Sequence, residues 1–268
     1  MNIRPMTKAK VTKIQIYPIK SLDGISVDRA TVISPGTLDD DRRWAIIDAK
    51  GKYVNGKRNA KVHQLRCHFD LSKQRLILSP LEEDMTAMEF NLTTDTEAIN
   101  QWLSEFFQQP VFLKENAEGG FPDDTEAYGP TIISTATLET VASWFSGMSL
   151  DSARSRFRAN LEISDVPPFW EDQLFGEAGS AIAFKVGDVQ VEGVNPCQRC
   201  VVPTRDPNTG ESYPQFQRLF IENRQATLPA WTNSSRFNHY YRLSVNTRIL
   251  SSETGKVINV GDELIIDN

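Results

Sequence analysis

Residues Asn195–Glu211 read NPCQRCVVPTRDPNTGE and hold two of the chain's three cysteines, Cys197 and Cys200, three positions apart. Three readings fit this spacing: half of a zinc site, a redox dithiol, or one working thiolate beside Arg199 and Arg205. A zinc site takes four ligands, mostly Cys and His. Its second half would have to come from His63, Cys67 and His68, or from His239. In HQLRCHFDL a strand would put His63 and Cys67 on one face and His68 on the other, poor geometry for a second pair. Cys67 reads more simply as a small core residue and both histidines as surface or edge residues. A thioredoxin-like dithiol needs its first cysteine at a helix N-terminus, whereas Val201, Val202 and Pro203 oppose a helix. A single thiolate in a positive setting, acting as nucleophile or metal ligand, fits better. A strand continuing through Arg199–Val202 would send the two sulfurs to opposite faces, one to work and one to pack. The spacing alone does not say which.

The 268-residue chain is 40% hydrophobic and 24% charged, a globular composition large enough for one big core or two modest domains. Its net charge of −6 excludes a global basic footprint, so no nucleic-acid partner is expected. The start, MNIRPMTKAKVTKIQIYPIKS, lacks the apolar stretch of a signal peptide, and no run is apolar enough to span a bilayer. The odd cysteine count argues against a secreted disulfide scaffold. A cytoplasmic protein without a membrane span is expected.

Along the chain, VTKIQIY (Val11–Tyr17) alternates as a half-buried strand does. Trp44–Asp48 with Lys52–Val54, and Leu65–Leu71 with Arg75–Leu78, read as two hairpins. Ile99, Trp102, Leu103 and Phe106 recur at helical spacing behind a cap at Thr94 or Asp95, and Pro110 stops that helix. Residues 115–130, rich in Gly, Pro and acids, mark a domain boundary or a mobile loop. Further helices are expected around Leu138–Phe145, Ser152–Arg156 and Phe216–Asn223. Strands are expected at Val111–Lys114, Thr131–Ser134, Asn160–Ile163, Ala181–Phe184, Val189–Val194, Arg199–Val202, Arg242–Asn246 and Glu263–Ile266. Many short strands with few helices imply a mainly β fold, a barrel or strongly bent sheet with peripheral helices. Neither a GxGxxG nor a Walker A pattern occurs.

The order of YPIKS (Tyr17–Ser21), DRRW (Asp41–Trp44), FRANLEIS (Phe157–Ser164), WEDQ (Trp170–Gln173) and PCQRC…TRDPNTGE (Pro196–Glu211) resembles the MOSC family. The likeness covers nearly the whole chain and is strongest to the amidoxime-reducing members that carry an N-terminal β-barrel partner domain. It implies an N-terminal MOSC-associated β-barrel domain over residues 1–120 and a MOSC β-barrel domain over 121–268. It also implies a molybdenum cofactor of the molybdopterin type between them. By the resemblance Cys200 is the catalytic residue and molybdenum ligand. Lys20, Ser21, Arg42, Arg158 and Asn160 match positions that hold the cofactor's phosphate and pterin, and Arg58 and Thr204 complete the expected binding set. Phosphate calls for such Lys and Arg donors, although an isolated arginine here reads as a surface residue paired with Asp39, Asp40 or Asp41. The family often has FRPN where this chain has Phe157-Arg158-Ala159-Asn160, which keeps both polar groups.

The activity implied is reduction of small N-hydroxylated compounds, with oxygen passing from the N–O bond to molybdenum. No cysteine follows Cys200 to ligate an iron–sulfur cluster. A separate electron-transfer protein is therefore expected: a ferredoxin, a flavodoxin, or a cytochrome b5-type carrier with its reductase. Pyridoxal phosphate binding is a further ligand description met with the family. The alternatives are a sulfur-carrier or cofactor-delivery protein using a Cys200 persulfide and a zinc-stabilised binding module.

Overall fold

The computed structural model describes residues 9–81 and 85–266. The alternation in AKVTKIQI forms β1 (Ala9–Ile16), with Ala9, Val11, Ile14 and Ile16 buried. Short strands follow: β2 (Ile25–Val27), β3 (Arg29–Ile33), β4 (Thr37–Leu38), β5 (Trp44–Asp48), β6 (Leu65–Asp70), β7 (Arg75–Pro80) and β8 (Met88–Asn91). Helix α1 (Thr96–Phe107) buries Ile99, Trp102, Leu103 and Phe106 on the expected face, and β9 (Val111–Glu115) leads out of it. The second half contains β10 (Ile132–Ser134), α2 (Thr135–Ser143), α3 (Leu150–Phe157), β11 (Leu161–Ser164), β12 (Ile182–Val186), β13 (Val189–Gln198), α4 (Phe216–Ala226), β14 (Arg242–Arg248), β15 (Val257–Asn259) and β16 (Glu263–Ile266).

Seven strands close a barrel in the order β11-β10-β14-β13-β12-β16-β1, with β1 pairing back onto β11 and β2 added to the outside of β1. Only β10 and β11 run parallel within it. Closure gives each of the seven barrel strands a partner on both sides, a common solution for a mainly β chain, and leaves β2 as an edge. The closing strand comes from the N-terminal end of the sequence. The barrel core accordingly joins Val11, Ile14 and Val32 to Ile163, Phe184 and Val245. A second core packs β6, β7 and α1 against β5 and β9 through Leu65, Leu76, Trp102, Phe106 and Val111. A third is aromatic and lies under α2, α3 and α4, where Phe145 stacks on Phe216 at 4.3 Å.

The hairpin at residues 44–54 forms, with the Asp48 N–H donating to Lys52 O and the Val54 N–H to Ile46 O, both at 2.9 Å, around an Ile47–Tyr53 bridge, and β5 also pairs with β9 over five residue pairs. One expectation changes. The strand expected at Arg199–Val202 does not form. β13 ends at Gln198 and the chain enters a tight turn over Val202–Thr204. Pro203 has no N–H for a ladder, while the Thr204 N–H and hydroxyl both donate to the Val201 carbonyl, at 3.0 and 2.6 Å. Among the described residues no helix is long and apolar enough to cross a membrane.

Candidate functional site

A cavity of about 1140 Å³ opens where the segment after β1, the C-terminus of α3, the turn after β13 and residues 55–68 meet. Twelve Lys and Arg against seven Asp and Glu line it, in a chain whose net charge is −6. Lys20, Ser21, Arg42, Arg158, Asn160 and Cys200, distant in sequence, share its wall. Arg58 and Thr204 do not. Arg58 is exposed, and the Thr204 hydroxyl is committed to its own turn.

Three of these wall residues hold left-handed backbone: Ser21 at φ 74°, Arg42 at φ 53° and Arg158 at φ 51°. Such conformations cost non-glycine residues about 1–2 kcal/mol and cluster where a side chain must be aimed. Arg42 is held by its N–H to the Tyr17 carbonyl (2.8 Å) and by its carbonyl, which accepts from the Phe121 N–H (2.8 Å). Its guanidinium pairs with Asp41. Burial opposes the Arg42 charge, but Asp41, Asp123 and Tyr17 outweigh it and hold the pKa above the ordinary value. Gly120 approaches the Asp41 and Arg42 carbonyls so closely that a Cβ there would stand 2.8 Å from both oxygens.

Arg158 is the C-cap of α3. Among the described residues no carboxylate pairs with its guanidinium, which lies 4.0 Å from the centre of the Tyr17 ring. Burial lowers its pKa. Lys20 is buried, and its Nζ donates to Phe121 O (2.8 Å) and Asp123 Oδ1 (2.9 Å). Burial lowers the Lys20 pKa against the opposing pull of Asp123. Asn160 serves as a joint. Its Nδ2 donates to Gln15 O (3.0 Å), and its Oδ1 accepts from the Thr131 N–H and hydroxyl, both at 3.2 Å. Arg42 Nη1 reaches that oxygen at 3.5 Å.

Cys197 and Cys200 line the same cavity, contrary to the opposite faces expected of a continued strand. Ending β13 at Gln198 removes the alternation. The Cys200 sulfur accepts from the Val202 N–H at 3.5 Å. Arg199 Nη1 donates to Cys197 Sγ at 3.1 Å, and its Nη2 to Phe157 O at 2.6 Å, tying the cysteine strand to the residue before Arg158. Buried Arg156 braces the turn after Cys200 through Pro203 O (3.0 Å), Arg205 O and Asp206 (3.2 Å). Arg66 links Asp23 (3.0 Å) to Pro207 O (3.0 Å), joining β6 to the DPNTG segment.

His63 differs from its expected surface position. It lies in a turn before β6, is buried and lines the cavity, and its Nε2 has no partner. Burial and the nearby Arg205, Arg158, Arg66 and Arg156 lower its pKa. Among the described residues no group of three or more His, Cys, Asp or Glu is placed to hold a metal, so the zinc module lacks a ligand set. Sequence reading missed Tyr17, Arg156, Asp123 and His63. Tyr17 stood inside YPIKS and Arg156 two positions before Arg158, whereas nothing local marked Asp123 as the partner of Lys20.

Comparison with known proteins gives the same domain content. Residues 8–110 match the MOSC N-terminal beta barrel domain and residues 130–265 match the MOSC domain. The chain is 27% identical to human mitochondrial amidoxime-reducing component 1 over 236 residues, 75% of this chain and 67% of that protein. It is 24% identical to the zebrafish (Danio rerio) protein of that name over 264 residues, 86% of this chain and 79% of the other. To human molybdenum cofactor sulfurase it is 23% identical over 261 residues, 80% of this chain but only 28% of that longer protein. The chain belongs to the MOSC family and carries the MOSC N-terminal β-barrel domain ahead of the MOSC domain.

Proposed function

We propose that this protein holds a molybdenum cofactor in the cavity and reduces N-hydroxylated compounds such as amidoximes, with electrons from a separate carrier protein. The observation that carries the reading is the Arg158 guanidinium, unpaired by any described carboxylate, in the wall of a cavity that Cys200 also lines. Arg158 is half-buried, and a partly desolvated cation without an acid is costly unless an anion completes it. A cofactor ending in phosphate supplies that anion, and its metal accepts a soft thiolate. The volume, about 1140 Å³, exceeds most small-ligand pockets and leaves room for a substrate beside a pterin-sized group.

In this reading Arg158, Arg42 and Lys20 grip the anionic end, with Asp41 and Asp123 setting the directions of the last two. Asn160 locks the chain beside Arg158 to Thr131 and Gln15. Cys200 presents its sulfur from a turn braced by Arg156, and the Val202 N–H stabilises negative charge on it. When bound, the cofactor supplies a metal that takes oxygen from the N–O bond in a two-electron reduction. Burial pushes the Tyr17 pKa up to about 12, so its phenol keeps its proton at neutral pH and adds no competing anion. The sequence has three cysteines, of which Cys67 is a core residue and the others face the cavity, so an iron–sulfur cluster finds no ligand set in it. Pyridoxal phosphate gains no support from any contact described above.

Cys197 favours a second reading. Its sulfur accepts from Arg199 at 3.1 Å in the same cavity, a setting that also suits persulfide handling at Cys200. The test is reduction of benzamidoxime by the purified protein with a chemical electron donor, beside Cys200→Ala and a sulfane-sulfur analysis. Turnover that the variant lacks supports the reductase. Sulfane sulfur on Cys200 with no turnover supports the sulfur carrier instead.

A further inference from the structure

We infer that Tyr17 is a positioning residue: its ring lies against the Arg158 guanidinium and beside that of Arg42, aligning Arg158 for an anionic ligand while leaving the Arg158 charge to that ligand. The inference rests on the anion-gripping part of the reading above and extends it to a residue outside the expected binding set. The Arg158 guanidinium carbon lies 4.0 Å, and that of Arg42 5.4 Å, from the ring centre. One aromatic ring thus lies against two cations. A carboxylate in place of the ring would also orient Arg158, but it would neutralise it and occupy its N–H donors. A ring holds a guanidinium through its quadrupole and leaves the edge donors open. Arg158 illustrates the result, since none of its side-chain N–H groups is taken by a described protein acceptor within hydrogen-bond reach.

The surroundings fix the ring. The Tyr17 N–H donates to Asp41 Oδ1 at 2.9 Å, and its carbonyl accepts the Arg42 N–H at 2.8 Å. Its hydroxyl reaches Ala159 O at 3.4 Å, on the residue following Arg158. Gly24 lies against the ring, and a Cβ there would stand 2.7 Å from two ring carbons. The ring position therefore depends on the space that this glycine leaves.

The test is binding of inorganic phosphate to the cofactor-free full-length protein by calorimetry, for wild type, Tyr17→Phe, Tyr17→Leu, Gly24→Ala and Arg158→Gln, with thermal unfolding of each. Tyr17→Phe keeps the aromatic face and should bind phosphate within about two-fold of wild type. Tyr17→Leu should weaken binding about ten-fold, as expected for loss of a desolvated cation–π pair. Gly24→Ala, which displaces the ring without altering its chemistry, should weaken binding in the same direction while remaining folded. Wild-type affinity in folded Tyr17→Leu or Gly24→Ala, with loss in Arg158→Gln, overturns the positioning role. Failure of wild type to bind phosphate also overturns it, whereas the reductase reading is judged separately by turnover of benzamidoxime in protein made with the cofactor.

Discussion

Arg158 combines a left-handed backbone, partial burial and the lack of a described acid partner, each of which opposes stability. Arg158→Gln removes the charge at no cost in a broken ion pair. The cofactor-free variant should therefore unfold at the same temperature as wild type or a few degrees higher, and yet lose the molybdenum content of protein made in a cofactor-producing host. A large fall in unfolding temperature would mean that the arginine is structural. Glu171 makes a different claim. It is buried, next to Asp172, and burial first and that neighbour second push its pKa up from 4.5 to about 7. The folded protein keeps this proton where the unfolded chain has lost it, so folding stability falls as pH rises from about 4.5 to about 7. Glu171→Gln should flatten that part of the stability–pH curve, gaining on the order of 3 kcal/mol over wild type at pH 8. Chemical denaturation at several pH values checks it, and an unchanged slope would contradict it.

At the scale of elements, β13 has to bring Cys197 and the Cys200 turn to the cavity. Its path is set by Gly193, where a Cβ would stand 1.7 Å from the Leu174 carbonyl oxygen. Gly193→Ala must push β13 off the turn at Trp170–Leu174 and should cost about 3 kcal/mol or more. Urea unfolding reads the loss, and a cost under about 1 kcal/mol would show that the strand can shift freely. Elements with a local signal were legible in the sequence. The alternation in VTKIQIY gave β1 and the apolar spacing from Ile99 gave α1, because each pattern is written within a few residues. The strand expected at Arg199–Val202 failed because β-branched Val201 and Val202 favour strands only where a ladder exists, and Pro203 and the Val201 carbonyl bonds close a turn instead. Long-range partners were not legible: Asp123 meets Lys20 across 103 positions, and β1 meets β11 across most of the barrel's sequence. The ordered motifs singled out Cys200, Lys20 and Arg158, which line the cavity, but also Arg58, which is exposed and does not.

In the whole molecule, the two family units are interlocked. β1 lies within the stretch matching the N-terminal beta barrel domain, yet it is a barrel strand between β16 and β11. We propose that the division near residue 120 separates family units that cannot fold apart. Residues 121–268 expressed alone would expose the edges of β11 and β16 and should be aggregated or unfolded. Co-expression with residues 1–120 should recover a soluble complex. A stable, monomeric 121–268 fragment with wild-type β content would contradict this.

The central claim is that Cys200 binds molybdenum in the cavity. The measurement that tests it most directly is the metal content of wild type, Cys197→Ser and Cys200→Ser, purified from a host that makes the molybdenum cofactor. About one equivalent in wild type and Cys197→Ser, with about ten-fold less in Cys200→Ser, is the expected result. Wild type without molybdenum, or Cys200→Ser retaining as much as wild type, would contradict it.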